Sequence, residues 1–392
     1  MLGTENPSQQ SSKMNNRLEG AFPPRPCDSH VSQVIEVLRF PLIALVVLFH
    51  AFSCSITLPA GVYDWHQPVT DFLYWNLFHD SIATAAVPLF FAISGFLYFN
   101  GVTTFGRKVW WKKTEKRVFR LIVPLLSWAL LSLLYYVVLY FCGNPNETAK
   151  WLLGTRHSTW WWINAFLGLT TVMGPELCSA GWFVRDLFFA GLLSPVWYLL
   201  LKRKRTMIPL LGALFVLYLT IFAPLPFLGS RAMFFFCLGA AYAIHHRDFT
   251  IDAARALWPS AVLWLFGFIL LRFRAIPFLP RIMPMLVIPV VVGGISRGIR
   301  KGWFRPVPWL AASAFFVYFC HVSLWLKVPL HFMMTRVFVP YSDWACLGFI
   351  LLNWVLETVL CISVFLLLRR FIPATLIFLA GIHHSKRVCV PK

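Results

Sequence analysis

Polar clusters alternate along the chain with long apolar runs, and the runs have the length of a bilayer crossing. Ten can be marked, at about 31–55, 72–99, 118–142, 180–201, 206–223, 228–246, 255–273, 280–298, 308–330 and 345–369. A spanning helix needs roughly 20 mostly apolar residues. Little chain remains between the runs, so the pattern predicts an all-α integral membrane protein, a single polytopic bundle of about ten transmembrane helices. Residues 1–28 read as a flexible cytoplasmic tail, 29–372 as the membrane domain and 373–392 as a short basic cytoplasmic tail. The first thirty residues lack an apolar core followed by a small-residue cleavage site, so the first run is expected to stay as an anchor.

The first run contains the stretch LRFPLIALVVLFH, with Arg39 and His50 at its ends. At about 100° per residue, eleven steps bring these two side chains within roughly 20° of one face. Ser32, Glu36 and Ser53 fall in the same arc of about 100°, with Leu42, Ile43 and Val46 filling its middle. The helical rise separates Arg39 from His50 by about 16 Å. Taken alone, Arg39 could snorkel to the inner surface and His50 could be a hydrogen-bonded interfacial residue. An arginine near a helix centre costs about 2.5 to 3.5 kcal/mol on insertion scales, and such residues usually face the bundle interior and mark function. Their common face favours that second reading.

Composition agrees with the pattern: 59% of the 392 residues are hydrophobic and 13% charged, with a mean hydropathy of +0.69, outside the range of water-soluble domains. The net charge of +20 would suit a polyanion, but its distribution points to topology. With the N-terminus inside, the cytoplasmic connections carry Arg107, Lys108, Lys112, Lys113, Lys116 and Arg117, then Lys202, Arg203, Lys204 and Arg205, then Arg297, Arg300, Lys301 and Arg305. The first outer connection holds Asp64 and Asp71 and no basic residue. This positive-inside pattern places both termini in the cytoplasm and argues for the lipid bilayer, not nucleic acid, as the partner of the charge. Arg272, Arg274 and Arg281 break it. The nine cysteines show no CxxC or Cys/His ligand spacing, so no metal site is predicted. Cys142 and Cys178, near the ends of the longest outer loop, could pair in an oxidising compartment.

Five ordered elements resemble the membrane-bound acyltransferase 3 family. They are Arg39 and His50 with Glu36 before them, then VPLFFAISGFLYF at 87–99 with its Phe-Phe-x-x-Ser-Gly core, KRVFRLIVP at 116–124, GWFVRDLF at 181–188 and FFVYFCHV at 315–322. Phe40-Pro41 stands where the family commonly has small residues. The resemblance implies an O-acyltransferase that takes an acyl group, most often acetyl, from cytoplasmic acyl-CoA. The acceptors it implies are hydroxyls of bacterial surface glycans or lipid-linked sugars. The chain would then be a multi-pass protein of the cell membrane, the inner membrane in a Gram-negative bacterium. Acyl-CoA is substrate here, and no permanently bound cofactor is implied.

Attack of a hydroxyl on a thioester needs a base with a pKa near neutrality, which suits imidazole. His50 is the candidate, as general base or as covalent acyl carrier, with Arg39 as its catalytic companion. Any partner of its ring must come from another helix. Coenzyme A phosphates call for Arg and Lys, and Arg39, Arg117 and Arg120 lie at the inner depth. Arg117 and Arg120, three apart, are expected to share a helix face. Trp182, Arg185, Asp186, Arg231, Tyr318 and His321 are expected on the acceptor side or as structural polar groups. Adjacent Arg185 and Asp186 cannot both point at His50. Ser94 lacks a GxSxG elbow, and the Ser94-Gly95 pair is expected to permit close packing. Two other classes compete, a secondary transporter and a non-catalytic component of a glycan pathway. Neither requires His50, and the halves of a transporter are not visible.

Overall fold

The computed structural model describes residues 30–51, 57–58, 61–62, 68–143, 146–169, 177–220, 228–272, 276, 278–337 and 342–382. The expected N-terminal tail, Ser53, Asp64, Arg274 and the His383-His384 pair lie outside them.

The first helix, α1 (His30–Ala51), is followed by a two-residue hairpin, Thr57–Leu58 with Gly61–Val62. The continuous helix α2 (Pro68–Phe99) contains a wide, π-type stretch at Asp71–Ile82. A shorter π-type stretch, Val118–Ile122, interrupts α3 (Arg107–Phe141). Two short helices follow, α4 (Glu147–Gly154) and α5 (Thr159–Leu167). Asn146 caps the first by accepting from the Ala149 N–H, and Ser158 caps the second from Trp161. The bundle continues with α6 (Gly181–Leu192), α7 (Ser194–Leu201), α8 (Lys204–Thr220), α9 (Ser230–Ile244), α10 (Phe249–Arg272) and α11 (Leu279–Arg300). It closes with α12 (Pro308–Cys320), α13 (Leu324–Val337), α14 (Asp343–Phe371) and the short α15 (Thr375–Ala380).

Among the described residues six helices are long and apolar enough to cross a membrane, or eight if each bent pair counts as one span. The bent pairs are α6 with α7, at 59°, and α12 with α13, at 80°. The runs expected at 206–223 and 228–246 appear as the 17-residue α8 and the 15-residue α9. The count therefore falls short of the ten that the apolar runs suggest.

Helix faces divide as lipid and core demand. On α3, Leu126, Leu130, Leu134 and Val138 repeat every fourth residue and are 38–58% exposed, an apolar stripe left for acyl chains. Helix α1 is the opposite case, with Val34, Leu38 and Val47 fully buried against α2, α11, α12 and α14. Two glycines allow one close crossing: a methyl group on Gly95 of α2 would lie 2.0 Å from the Phe236 carbonyl oxygen of α9. One on Gly239 of α9 would lie 1.9 Å from that of Ala92. Only the absence of Cβ lets these backbones approach.

The segment from 373 begins as structure rather than as a tail. Helix α15 buries Leu376 and Ala380, and the Trp128 indole N–H of α3 donates to the Leu379 carbonyl at 2.9 Å. Leu376 and Ala380 form its docked face while Phe378 points outward, and the basic residues come only afterwards.

Candidate active site

His50 lies in the last turn of α1, where the chain is held from three directions. The Phe49 carbonyl accepts from Tyr74 of α2 at 3.1 Å, and the Phe49 ring stacks on His79 at 4.1 Å. His79 in turn contacts Asp80, Nδ1 to Oδ1, at 2.7 Å. The His50 carbonyl accepts from Lys327 Nζ of α13 at 3.3 Å. The third direction is α12, whose His321 ring centre stands 5.2 Å from that of His50.

His321 is fully buried, at the bend between α12 and α13. Its Nδ1 lies 3.1 Å from the Val317 carbonyl. A carbonyl only accepts, so Nδ1 carries the proton and Nε2 presents a lone pair. Nε2 has no hydrogen-bond partner among the described residues. The two rings are neighbours, with the lone pair of Nε2 left unused in this arrangement. Tyr318, one turn earlier, donates to the Ala180 carbonyl and packs its ring 5.4 Å from Phe183. That link secures α12 to the start of α6, where Trp182 contacts Phe91 at 6.5 Å between ring centres.

Arg39 shares the α1 arc with His50, between the buried Ile43 and Val46, and is nevertheless exposed. Further along the same helix the Trp354 indole N–H of α14 donates to the Ala44 carbonyl at 2.8 Å.

Arg117 and Arg120 of α3 do not share a face. The π-type stretch beginning at Val118 widens the turn between them, so three residues no longer return to one side. Arg120 is exposed. Arg117 turns inward, donating to the Leu187 carbonyl at 2.6 Å and to Ser94 Oγ at 3.1 Å, with its guanidinium 4.6 Å from the Tyr98 ring centre. A methyl group on Gly191 would stand 2.5 Å from Arg117 Nη1, so that glycine makes the passage. Ser94 and Arg117, from two different sequence elements, are thus partners in one contact.

Arg185 and Asp186 were expected to diverge, yet they pair with each other. Nε and Nη2 of Arg185 donate to Asp186 Oδ1 at 3.0 and 2.9 Å, and both residues are 3% exposed. The long arginine stem folds back over its neighbour, which adjacency in a helix does not forbid. Arg185 also donates to the Gly168 carbonyl, and the Gly229 N–H donates to Asp186 Oδ2 at 3.0 Å. The pair ties α6 to two loops. Arg231 is exposed at the start of α9 and its charge acts on Asp186.

Arg281, one of the three arginines against the charge pattern, has a structural task. It donates to the Tyr218 carbonyl, and the Tyr218 hydroxyl donates to its own carbonyl at 2.8 Å. The side chain of Arg272 is outside the described residues. Cys142 and Cys178 are both free thiols, so the possible disulfide is absent. Among the described residues no cluster of three His, Cys, Asp or Glu side chains could hold a metal ion.

Lys327, His79 and Glu357 are the polar groups of this centre that the sequence reading passed over. Two of them had a signal: Lys327 and Glu357 are single charges inside the apolar runs 308–330 and 345–369, the placement that marks function in a membrane.

His50 and His321 thus face each other beside the half-buried Lys327 ammonium inside a polytopic bundle. Comparison with known families gives the chemistry its class: a family model described as an acyltransferase domain matches residues 33–368. The chain belongs to the acyltransferase 3 family and is a membrane acyltransferase, moving groups other than aminoacyl groups. No curated protein and no solved structure matches it. The transporter and non-catalytic readings give way to that membership.

Proposed function

We propose that this acyltransferase carries an acyl group, acetyl in the simplest case, from cytoplasmic acyl-CoA to a hydroxyl of an extracytoplasmic glycan or lipid-linked sugar. The cell membrane is its site of action. His50 acts as general base on the acceptor hydroxyl. Arg39 receives the phosphates of the donor, with exposed Arg120 as a second phosphate ligand. The long, thin pantetheine arm then reaches along the α1 arc toward His50.

The observation that carries this reading is the His50–His321 pair. A base in a buried site works best beside a neutral group able to share its proton, and the unpartnered Nε2 lone pair of His321, brought closer when substrate binds, is such a group. Arg117 is committed to Leu187, Ser94 and Tyr98, so its part in donor binding is to hold α2, α3 and α6 in register.

The test is turnover of radiolabelled acetyl-CoA by the purified full-length chain in detergent. His50→Ala is expected to abolish turnover while leaving donor binding, and Arg39→Ala to weaken donor binding. Full activity in His50→Ala would overturn the role of the base.

A further inference from the structure

Glu357 sits in the middle of α14, an otherwise apolar helix, and is 1% exposed. Neither carboxylate oxygen has a hydrogen-bond partner among the described residues. Leaving buried polar atoms unmatched costs the free energy of stripping water from them with nothing in return. A carboxyl kept under that cost in a membrane bundle calls for a use.

Its surroundings connect it to the site. One turn before it, Trp354 is bonded to Ala44 of α1, so this face of α14 packs on the helix that carries His50. One turn after it, Cys361 contacts Cys320 of α12, the neighbour of His321. The ammonium of Lys327 acts on Glu357, on His50 and on His321 alike. Two unmatched acid–base groups, the Nε2 of His321 and the carboxyl of Glu357, are therefore gathered about one ammonium.

Glu357 also lies well along α14, away from its first turn. Asp343, at the start of α14, accepts from the Val69 and Thr70 N–H groups at 2.5 and 3.0 Å, one turn from the Tyr74 that holds Phe49. Fourteen residues of helix place Glu357 about 21 Å along α14 from that anchor, toward the end bearing Arg369 and Arg370.

We infer that Glu357 is a positioning residue: by gaining and losing a proton it acts through the Lys327 ammonium, which donates to the His50 carbonyl, and so sets His50 ready to work as the base. The inference rests on the reading of His50 as base. In the transfer the acceptor O–H bond breaks as its oxygen bonds the acyl carbon, and the carbon–sulfur bond breaks with its electron pair left on sulfur. The proton taken by His50 passes from His50 to the sulfur beside it, which departs as the free thiol, and Glu357 touches none of the reacting atoms. Atoms and charge balance without a further reactant. Among the described residues the ionisable groups that reach Glu357 are Lys327 from α13 and Cys361 on its own helix, with Cys320 of α12 on the far side of Cys361.

The experiment compares wild type, His50→Ala, Glu357→Gln and Glu357→Asp as full chains in detergent. Hydrolysis of acetyl-CoA, with water as acceptor, is followed across pH with thermal midpoints recorded in parallel. Glu357→Gln is expected to lower kcat about 100-fold, to leave KM for the donor within about twofold and to remove one limb of the pH profile. Glu357→Asp restores part of the rate with that limb displaced. A Gln variant as active as wild type, or two equally dead variants with lowered midpoints, would overturn the inference. Loss of wild-type turnover itself would instead count against the base reading. Glu357 is then judged by the infrared carbonyl band of a protonated carboxylic acid, present in wild type, absent from Glu357→Gln and titrating with pH. A carboxyl that does not titrate overturns the proposal.

Discussion

The crossing of α2 and α9 gives a prediction whose size can be worked from the structure. In Gly239→Ala the new methyl group starts 1.9 Å from the Ala92 carbonyl oxygen. Ordinary contact begins at 3.4 Å, so the helices must part by 3.4 − 1.9 = 1.5 Å. Both partners are backbone and neither can swing aside. Overpacking of this kind costs about 1–3 kcal/mol, here at the upper end. Replacing a helical glycine by alanine returns about 1 kcal/mol of propensity. A net loss of about 2 kcal/mol follows, read as a fall of several degrees in the detergent-solubilised thermal midpoint, at about 2–4 °C per kcal/mol. The same displacement would stretch the 3.1 Å contact from Arg117 to Ser94 beyond hydrogen-bond reach, so turnover should fall as well. Gly348→Ala is the control. That glycine is helical and exposed, and a methyl group there would meet nothing within 4 Å, so the change should leave the midpoint unchanged or raise it. A Gly239→Ala protein as stable as wild type, or two variants equally weakened, would refute the close-packing argument.

Three further outcomes are expected. Asp186→Asn leaves the buried Arg185 guanidinium without its counter-charge and should cost about 3–5 kcal/mol, seen as a large drop in thermal midpoint and in yield of folded protein. His321→Gln should lower acetyl-CoA turnover by about 100-fold or more while donor binding, measured by equilibrium dialysis, is retained. Arg117→Lys keeps the charge but not the forked contact to Leu187 and Ser94, so the midpoint should fall before donor affinity does; a selective loss of donor affinity would return Arg117 to the binding site.

The long apolar runs made the membrane bundle legible in the sequence, and five ordered motifs made the family legible. The periodicity of α1 placed Arg39 and His50 on one arc because that helix is regular. The same arithmetic failed for Arg117 and Arg120, since a π-type stretch has no compositional mark and changes the angle per residue. It was silent on the pairing of Arg185 with Asp186, where a flexible stem folds back in a way no helical wheel represents. Contacts between elements were invisible: nothing local in the chain announces that His321 meets His50 or that Arg117 meets Ser94. Lys327 and Glu357 were visible as isolated charges in apolar runs, but only the packing of α12, α13 and α14 on α1 relates them to the first helix. Helix counting suffered from bends, because a run broken by 59° or 80° has the composition of a straight one.

The order in which the polar centre is assembled has a consequence for how the protein is made. His50 belongs to the first span, while His321, Lys327 and Glu357 belong to the last ones, and Asp343 must arrive before the start of α2 is fastened. Some three hundred residues separate His50 from Glu357. At about 5–20 residues per second of synthesis, Arg39 and His50 wait in the membrane for roughly 15–60 s before any of those partners exist. A nascent chain is therefore catalytically inert almost to its end, and its first helix must be sheltered from lipid by the insertion machinery until the final helices arrive to take its place.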